Sequence, residues 1–130
     1  MCHLDADMSR QGFKEFKTGS DIVFLENIGN LVCPAEFDTG AHLNLVLLSV
    51  PEGDDKPLKY SLMFSSGDAV AITKIDTAKY FDFDVDKCKQ YVAKLNPNTT
   101  FFTVSARSGE GVDALADWIY SKYTAWKVAK

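Results

Sequence analysis

The sequence predicts an α/β fold: a parallel sheet with helices packed against it. Three observations carry the prediction. Four short runs are rich in β-branched and aromatic residues, their apolar character is continuous rather than alternating, and helical apolar stripes lie between and after them. The 130 residues are 46% hydrophobic and 25% charged, the balance of an ordinary folded chain able to bury one core, so a single domain over 1–130 is expected.

From the N-terminus, Leu4 to Phe16 is a helix candidate with Leu4 and Met8 four apart and Gly12 weakening it. Asp21-Ile22-Val23-Phe24-Leu25 reads as a first buried strand, entered from Thr18-Gly19-Ser20. Asn44 to Val50 is a second, stopped by Pro51-Glu52-Gly53-Asp54-Asp55. Asp55 to Phe64 can be helical if Pro57 sits in the first turn. Ala69 to Thr73 is a third strand. Asp84 can cap a helix whose Val85, Cys88, Val92 and Leu95 share one face, with Lys87, Lys89, Gln90 and Lys94 off it. Thr100 to Val104 is a fourth strand after the turn signal Asn96-Pro97-Asn98. A closing helix follows Gly109-Glu110-Gly111, with Val112, Leu115, Ile119 and Trp126 on one face.

Charge and composition exclude several functions. With 14 Lys+Arg against 18 Asp+Glu the net charge is −4, which argues against nucleic-acid binding through a basic face. No strictly apolar run is longer than that of Leu45 to Leu48, so no membrane span is expected. The first twenty residues lack the apolar block of a secretory signal, and a cytoplasmic protein is expected. Three cysteines at irregular spacing suit free or metal-bound thiols better than a disulfide framework. Cys88, on an apolar stripe, belongs to the core.

In doubly wound α/β folds ligands sit at the carboxyl ends of the strands. Thr73-Lys74-Ile75-Asp76 ends one strand and Ser105-Ala106-Arg107 ends the next, about thirty residues further on. The Asp76 carboxylate can accept two parallel hydrogen bonds from the N–H and NH2 edge of guanine, the Lys74 stem can cover a ring face, and Ser105-Ala106 can offer a backbone N–H to the guanine carbonyl. Glu26, after the first predicted strand, is placed like an acid that positions hydrated Mg²⁺ beside phosphates, and Gly29 can offer its N–H to a terminal phosphate. A phosphate cradle of the form G-x-x-x-x-G-K-[ST] is absent: the only Lys followed by Ser or Thr is Lys17, and Phe16 precedes it. Gly109-Glu110-Gly111 reads as a turn. Cys2, His3 and Cys33 carry the ligand types of borderline-soft divalent metals such as Zn²⁺ and Ni²⁺, one short of a closed tetrahedral set unless two chains meet. His42, in a Gly40-Ala41-His42 loop, has no partner legible in the sequence.

Taken in order, the strings Cys2-His3-Leu4-Asp5-Ala6-Asp7-Met8, Phe24-Leu25-Glu26-Asn27-Ile28-Gly29-Asn30-Leu31-Val32-Cys33-Pro34, Glu52 to Tyr60, Thr73-Lys74-Ile75-Asp76 and Ser105-Ala106-Arg107 resemble the GTPase domain of the HypB family, the hydrogenase nickel-incorporation proteins. The resemblance runs from residue 2 to about residue 120; the related urease accessory GTPases carry a Cys-Pro-His motif that this chain lacks. It implies a SIMIBI-class GTPase, binding GTP and Mg²⁺, that delivers nickel to the [NiFe]-hydrogenase large-subunit precursor alongside nickel-maturation accessory proteins. It implies Ni²⁺ or Zn²⁺ held by Cys2, His3 and Cys33 at a homodimer interface, guanine recognition by Lys74 and Asp76, and Glu26 on the Mg²⁺ and phosphate side. Asp5, Asp54 and Asp55 match family strings without an assigned role. Thr73 stands where many members carry Asn, and Ser61 where Pro is common. Members carry their phosphate loop on the strand and helix preceding the C-H-L-D string. The expectation is therefore the C-terminal part of such a GTPase domain, lacking its N-terminal P-loop strand and helix. Such a chain would bind metal, as a dimer, but turn over little GTP. The alternative is a non-hydrolysing metal-binding or dimerising fragment that serves as a metallochaperone or interaction module.

Overall fold

The computed structural model describes residues 3–16, 19–27 and 29–130. Its organising element is a three-stranded parallel sheet in the order β1 (Leu45–Ser49), β2 (Ala69–Thr73), β3 (Thr100–Thr103), each strand pairing only with its neighbour in sequence. Leu45 lies opposite Ala69, and Ala69 opposite Thr100, so the three strands start level and their carboxyl ends emerge along one edge.

Parallel strands need crossover connections. The first is a pair of short helices, α2 (Lys56–Lys59) and α3 (Ser61–Ser66). Pro57 does sit in the first turn, where its missing N–H costs nothing, but the expected single helix breaks at Tyr60, whose backbone (φ −126°, ψ 54°) leaves the helical region. The second is α4 (Val85–Leu95), capped as expected by the Asp84 carboxylate accepting the Lys87 N–H. Its inward stripe, Cys88 and Val92, meets Val46 and Leu48 of β1, Val70 and Ile72 of β2, and Phe64 of α3 in one apolar cluster. Phe64, Leu48, Ile72, Val70 and Cys88 are fully buried. Helix α1 (Ala6–Glu15) starts at Asp5, which caps it through the Met8 N–H, and α5 (Val112–Ala129) closes the chain.

Two expectations are corrected. Residues 21–25 form no strand: Ile22, Val23, Phe24 and Leu25 are 36–76% exposed. Their β propensity is real, but a strand exists only through a hydrogen-bonded neighbour, and the sheet ends at β1 without them. The second correction concerns coverage. Only β2 is buried on both faces; in β1 burial alternates, Val46 and Leu48 turning inward while Leu47 is 55% exposed. On the sheet's other face Trp118 of α5 lies edge-on to Phe102 of β3, while Leu47 is left uncovered. The predicted α5 stripe is correspondingly partial. Leu115 and Ile119 are half-buried, whereas Val112 and Trp126 are 40% and 39% exposed.

Gly111 sets the entry of α5. Its φ of +72° suits glycine, and a Cβ there would lie 2.0 Å from the Thr103 carbonyl oxygen. Gly12, inside α1, has open space around the same position. Gly111→Ala is therefore expected to destabilise the protein by about 2 kcal/mol or more, and Gly12→Ala to stabilise α1 by up to about 1 kcal/mol. Urea unfolding of the two variants beside the parent checks both signs.

Candidate nucleotide and metal sites

The parallel register brings the loops after β2 and β3 together. The chain continues from Thr103 by donating the Val104 N–H to Ile72, and Ile75 donates back to Val104. This interlock carries the Asp76 and Ser105 side chains into contact: the Ser105 hydroxyl donates to Asp76 Oδ1 at 2.8 Å. Ser105 is fully buried, and its oxygen also accepts the Ser108 N–H at 3.1 Å, so the hydroxyl proton is directed to the carboxylate. Its backbone N–H is committed to the Glu110 carbonyl, which closes the loop before α5. Asp76, held by Ser105, is half-buried, and Lys74 and Ala106 are exposed. Lys74 adopts the left-handed conformation (φ 58°, ψ 37°), which a side chain with a Cβ occupies at a cost of ~1 kcal/mol. The T-K-I-D and S-A-R strings, separate in sequence, form one structural unit.

The loop after β1 lies on the same edge. Ser49 and Glu52 form a capping box, with the Glu52 carboxylate accepting both the N–H and the hydroxyl of Ser49. Two of the acids without an assigned role are structural here. Asp54 accepts the Asp84 N–H at 2.8 Å and so pins the start of α4, and Asp55 pairs with Lys59 at 3.2 Å, a hydrogen bond that lowers the Asp55 pKa. The third, Asp5, is the α1 cap.

Glu26 and Gly29 are exposed on a segment that is not a strand, which departs from the strand-end setting the sequence predicts for them. The segment nevertheless abuts the ligand edge. A cavity of about 210 Å³ is lined by Asn30, Leu31 and Val32 on one side and Glu52, Lys56 and Tyr60 on the other.

Of the predicted metal ligands, Cys2 lies outside the described residues. His3 and Cys33 are both half-buried, and among the described residues no three His, Cys, Asp or Glu side chains are grouped as a metal site. Cys33 opens a 3-10 turn (Cys33–Glu36), and the Asn30 side-chain oxygen accepts the N–H groups of Val32 and Cys33 at 3.1 and 2.9 Å. His3 stacks on Phe37, ring centroids 3.6 Å apart and planes within 7°. Leu4 donates its N–H to Asn27 Oδ1 at 3.0 Å. Asn30 carried a legible signal, since asparagine commonly bonds the backbone two residues on. Phe37 and Asn27 carried none, nor did His42, which lies edge-on to Trp126 at 5.0 Å.

Cys88 stands apart from all of this. Burial among apolar side chains, with the Asp54 charge nearby, pushes its thiol up to about 12. It is a neutral packing group at physiological pH, as its stripe predicted.

A parallel α/β sheet with its post-strand loops gathered on one edge defines the class of the fold. Comparison with known proteins takes it further. No family model matches the chain. Hydrogenase maturation factor HypB from Azotobacter chroococcum mcd 1 is 47% identical over 120 residues, covering 91% of this chain and 39% of the relative. The crystal structure of HypB from Helicobacter pylori in complex with nickel superposes with a TM-score of 0.92 at 40% identity, covering 96% of this chain and 60% of that one. HypB from Archaeoglobus fulgidus gives a TM-score of 0.87 at 34% identity, covering 92% of this chain and 64% of that one. The chain is thus a homologue of the HypB hydrogenase maturation factors over nearly all its length, and it spans about two-fifths of the length of the first of these relatives.

The thiol chemistry makes a prediction. In a Cys2→Ala/Cys33→Ala variant, a chromogenic disulfide reagent at pH 7 to 8 is expected to find no reactive thiol until denaturant is added, because Cys88 stays protonated and buried. Rapid native-state reaction would contradict its placement. The sign of the linkage follows: the folded state keeps the proton that the unfolded chain releases near pH 9, so this group's contribution to stability is lost as pH rises from about 9 towards about 12.

Proposed function

We propose that residues 1–130 form one unit, the guanine-binding and metal-binding part of a GTPase domain that delivers nickel during maturation of [NiFe]-hydrogenase. The observation that carries this reading is the fit of 96% of the chain, at 40% identity, to a HypB solved in complex with nickel. The local geometry supports it. Asp76, oriented by Ser105, offers a carboxylate for the guanine N–H and NH2 edge; the Lys74 stem covers the ring, and the Ala106 backbone borders its carbonyl. Glu26 would stand on the Mg²⁺ and phosphate side with Gly29 beside it, and Mg²⁺ would neutralise phosphate charge there. The cargo is Ni²⁺, or Zn²⁺ in its place, taken by Cys2, His3 and Cys33, a thiolate and imidazole set suited to either ion. A homodimer would complete the coordination, and the hydrogenase large-subunit precursor, with nickel-maturation accessory proteins, would receive or supply the metal in the cytoplasm.

One observation favours a second reading. These 130 residues contain no G-x-x-x-x-G-K-[ST] string, so phosphate has no cradle of that type within them. In this alternative the chain is a metal-binding, dimerising module that works without hydrolysis. GTP turnover by the 130-residue chain, abolished by Asp76→Ala, would exclude it.

Two measurements test the principal reading. In equilibrium dialysis, Cys2→Ala and Cys33→Ala are each expected to weaken Ni²⁺ or Zn²⁺ binding at least ~10-fold, and unchanged binding would remove the metal assignment. In a GDP titration followed by NMR, Asp76→Ala is expected to cost about 10- to 100-fold in affinity, the worth of lost hydrogen bonds to a charged acceptor. Unaltered GDP affinity would remove the guanine assignment.

A further inference from the structure

The metal reading leaves a geometrical problem. His3 and Leu4 lie on a short arm that precedes α1, Cys33 lies some thirty residues away in a 3-10 turn, and an ion shared by His3 and Cys33 needs both in a fixed register. Among the described residues, the helical anchor next to this arm is downstream, at the Asp5 cap. Ligand groups on an untethered arm would lose conformational freedom on every binding event, weakening affinity accordingly.

We propose that Phe37 and Asn27 are positioning residues that hold the His3-Leu4 arm in register with Cys33. The inference rests on the metal reading above and concerns side chains to which that reading gives no part.

Phe37 immediately follows the turn that Cys33 opens, so its ring sits about one turn of backbone from the cysteine. His3 lies flat on that ring at van der Waals separation. Stacking occupies the face of the imidazole, whereas the lone pair of the unprotonated nitrogen, Nδ1 or Nε2 according to the tautomer, lies in the ring plane. A face-stacked histidine therefore leaves that nitrogen to bind a metal at the ring edge, and an apolar phenyl ring offers no competing ligand atom. The next residue, Leu4, is tied by its N–H to the Asn27 carboxamide oxygen. At the other end of the same short segment, Asn30 fixes the Cys33 backbone. One stretch, residues 27 to 37, thus supplies a tether for the imidazole, a tether for the arm's backbone and a brace for the partner thiol. This is the division of labour expected between ligands and the groups that orient them.

The test is a Ni²⁺ titration of the 130-residue chain, read by thiolate-to-metal charge-transfer absorption. It compares Phe37→Leu, Asn27→Ala, Asn27→Asp, Asn27→Leu and Cys33→Ala, with circular dichroism reporting the fold of each. Phe37→Leu and Asn27→Ala are expected to weaken Ni²⁺ binding about 10- to 100-fold and to change the charge-transfer band, with the fold intact. Asn27→Asp keeps the acceptor and is expected to restore both affinity and band, whereas Asn27→Leu keeps the volume without the acceptor and is expected to lose them, the reverse of a merely space-filling role. If Phe37→Leu and Asn27→Ala bind Ni²⁺ like the parent while Cys33→Ala does not, the positioning role is overturned and the metal reading stands. Equal losses in Asn27→Ala and Asn27→Asp would overturn the role of Asn27. Parental binding by Cys33→Ala would remove the metal reading and the positioning role with it.

Discussion

The structure depends first on the burial of β2. Ala69, Val70, Ala71 and Ile72 are all fully buried, and such a strand has no access to water for its backbone groups, so both of its edges must be paired within the protein. The partners are β1 and β3, both parallel, and that choice forces a helical crossover after each strand and sends all three carboxyl ends the same way. The ligand edge is a by-product of this constraint. Asp76 and Ser105 meet because Ile72, Val104 and Ile75 continue the ladder past the last formal strand residue. A one-residue slip of β3 would turn Phe101 away from the core and carry Ser105 away from Asp76 together.

What was legible in the sequence was what is encoded locally. The limits of β2, the Asp84 cap, the inward Cys88 and Val92, and the glycine-rich entry to α5 depend on residues within a turn or two of one another. Residues 21–25 failed for the opposite reason. Ile22-Val23-Phe24-Leu25 satisfies every local criterion for a strand, yet pairing is a property of two segments, and nothing within the run states whether a neighbour exists. The alternating burial of β1 was hidden for the same reason, since Leu47 and Leu48 look equivalent until the packing on each face of the sheet is seen.

The site divides along the same line. The T-K-I-D and S-A-R strings were recognisable because each is short and each follows a strand, and their spacing matches one strand–helix–strand repeat. Asp54 was not, because its part is to accept an N–H thirty residues away at the start of α4. The side chains that organise the N-terminal third, Asn27 and Phe37, act on Leu4 and His3 across gaps of comparable length. Motifs announce groups that meet a ligand. The groups that hold them are ordinary residues whose meaning is entirely tertiary.

The sheet and both crossovers are contained within residues 45–104, and this continuity has a consequence for how the molecule opens. The described residues before β1 attach to that body and to α5 through discrete contacts, among them Leu31 against the core, Asp21 accepting the Tyr123 hydroxyl and His42 against Trp126. Breaking them need not disturb a single rung of the ladder. Amide protons of α1 and of the turn at Cys33 would then exchange through a low-energy, sub-global opening, while those of β2 exchange only when the whole domain unfolds. His3 and Cys33 of the proposed metal set lie before the sheet, and the proposed guanine contacts follow directly from it.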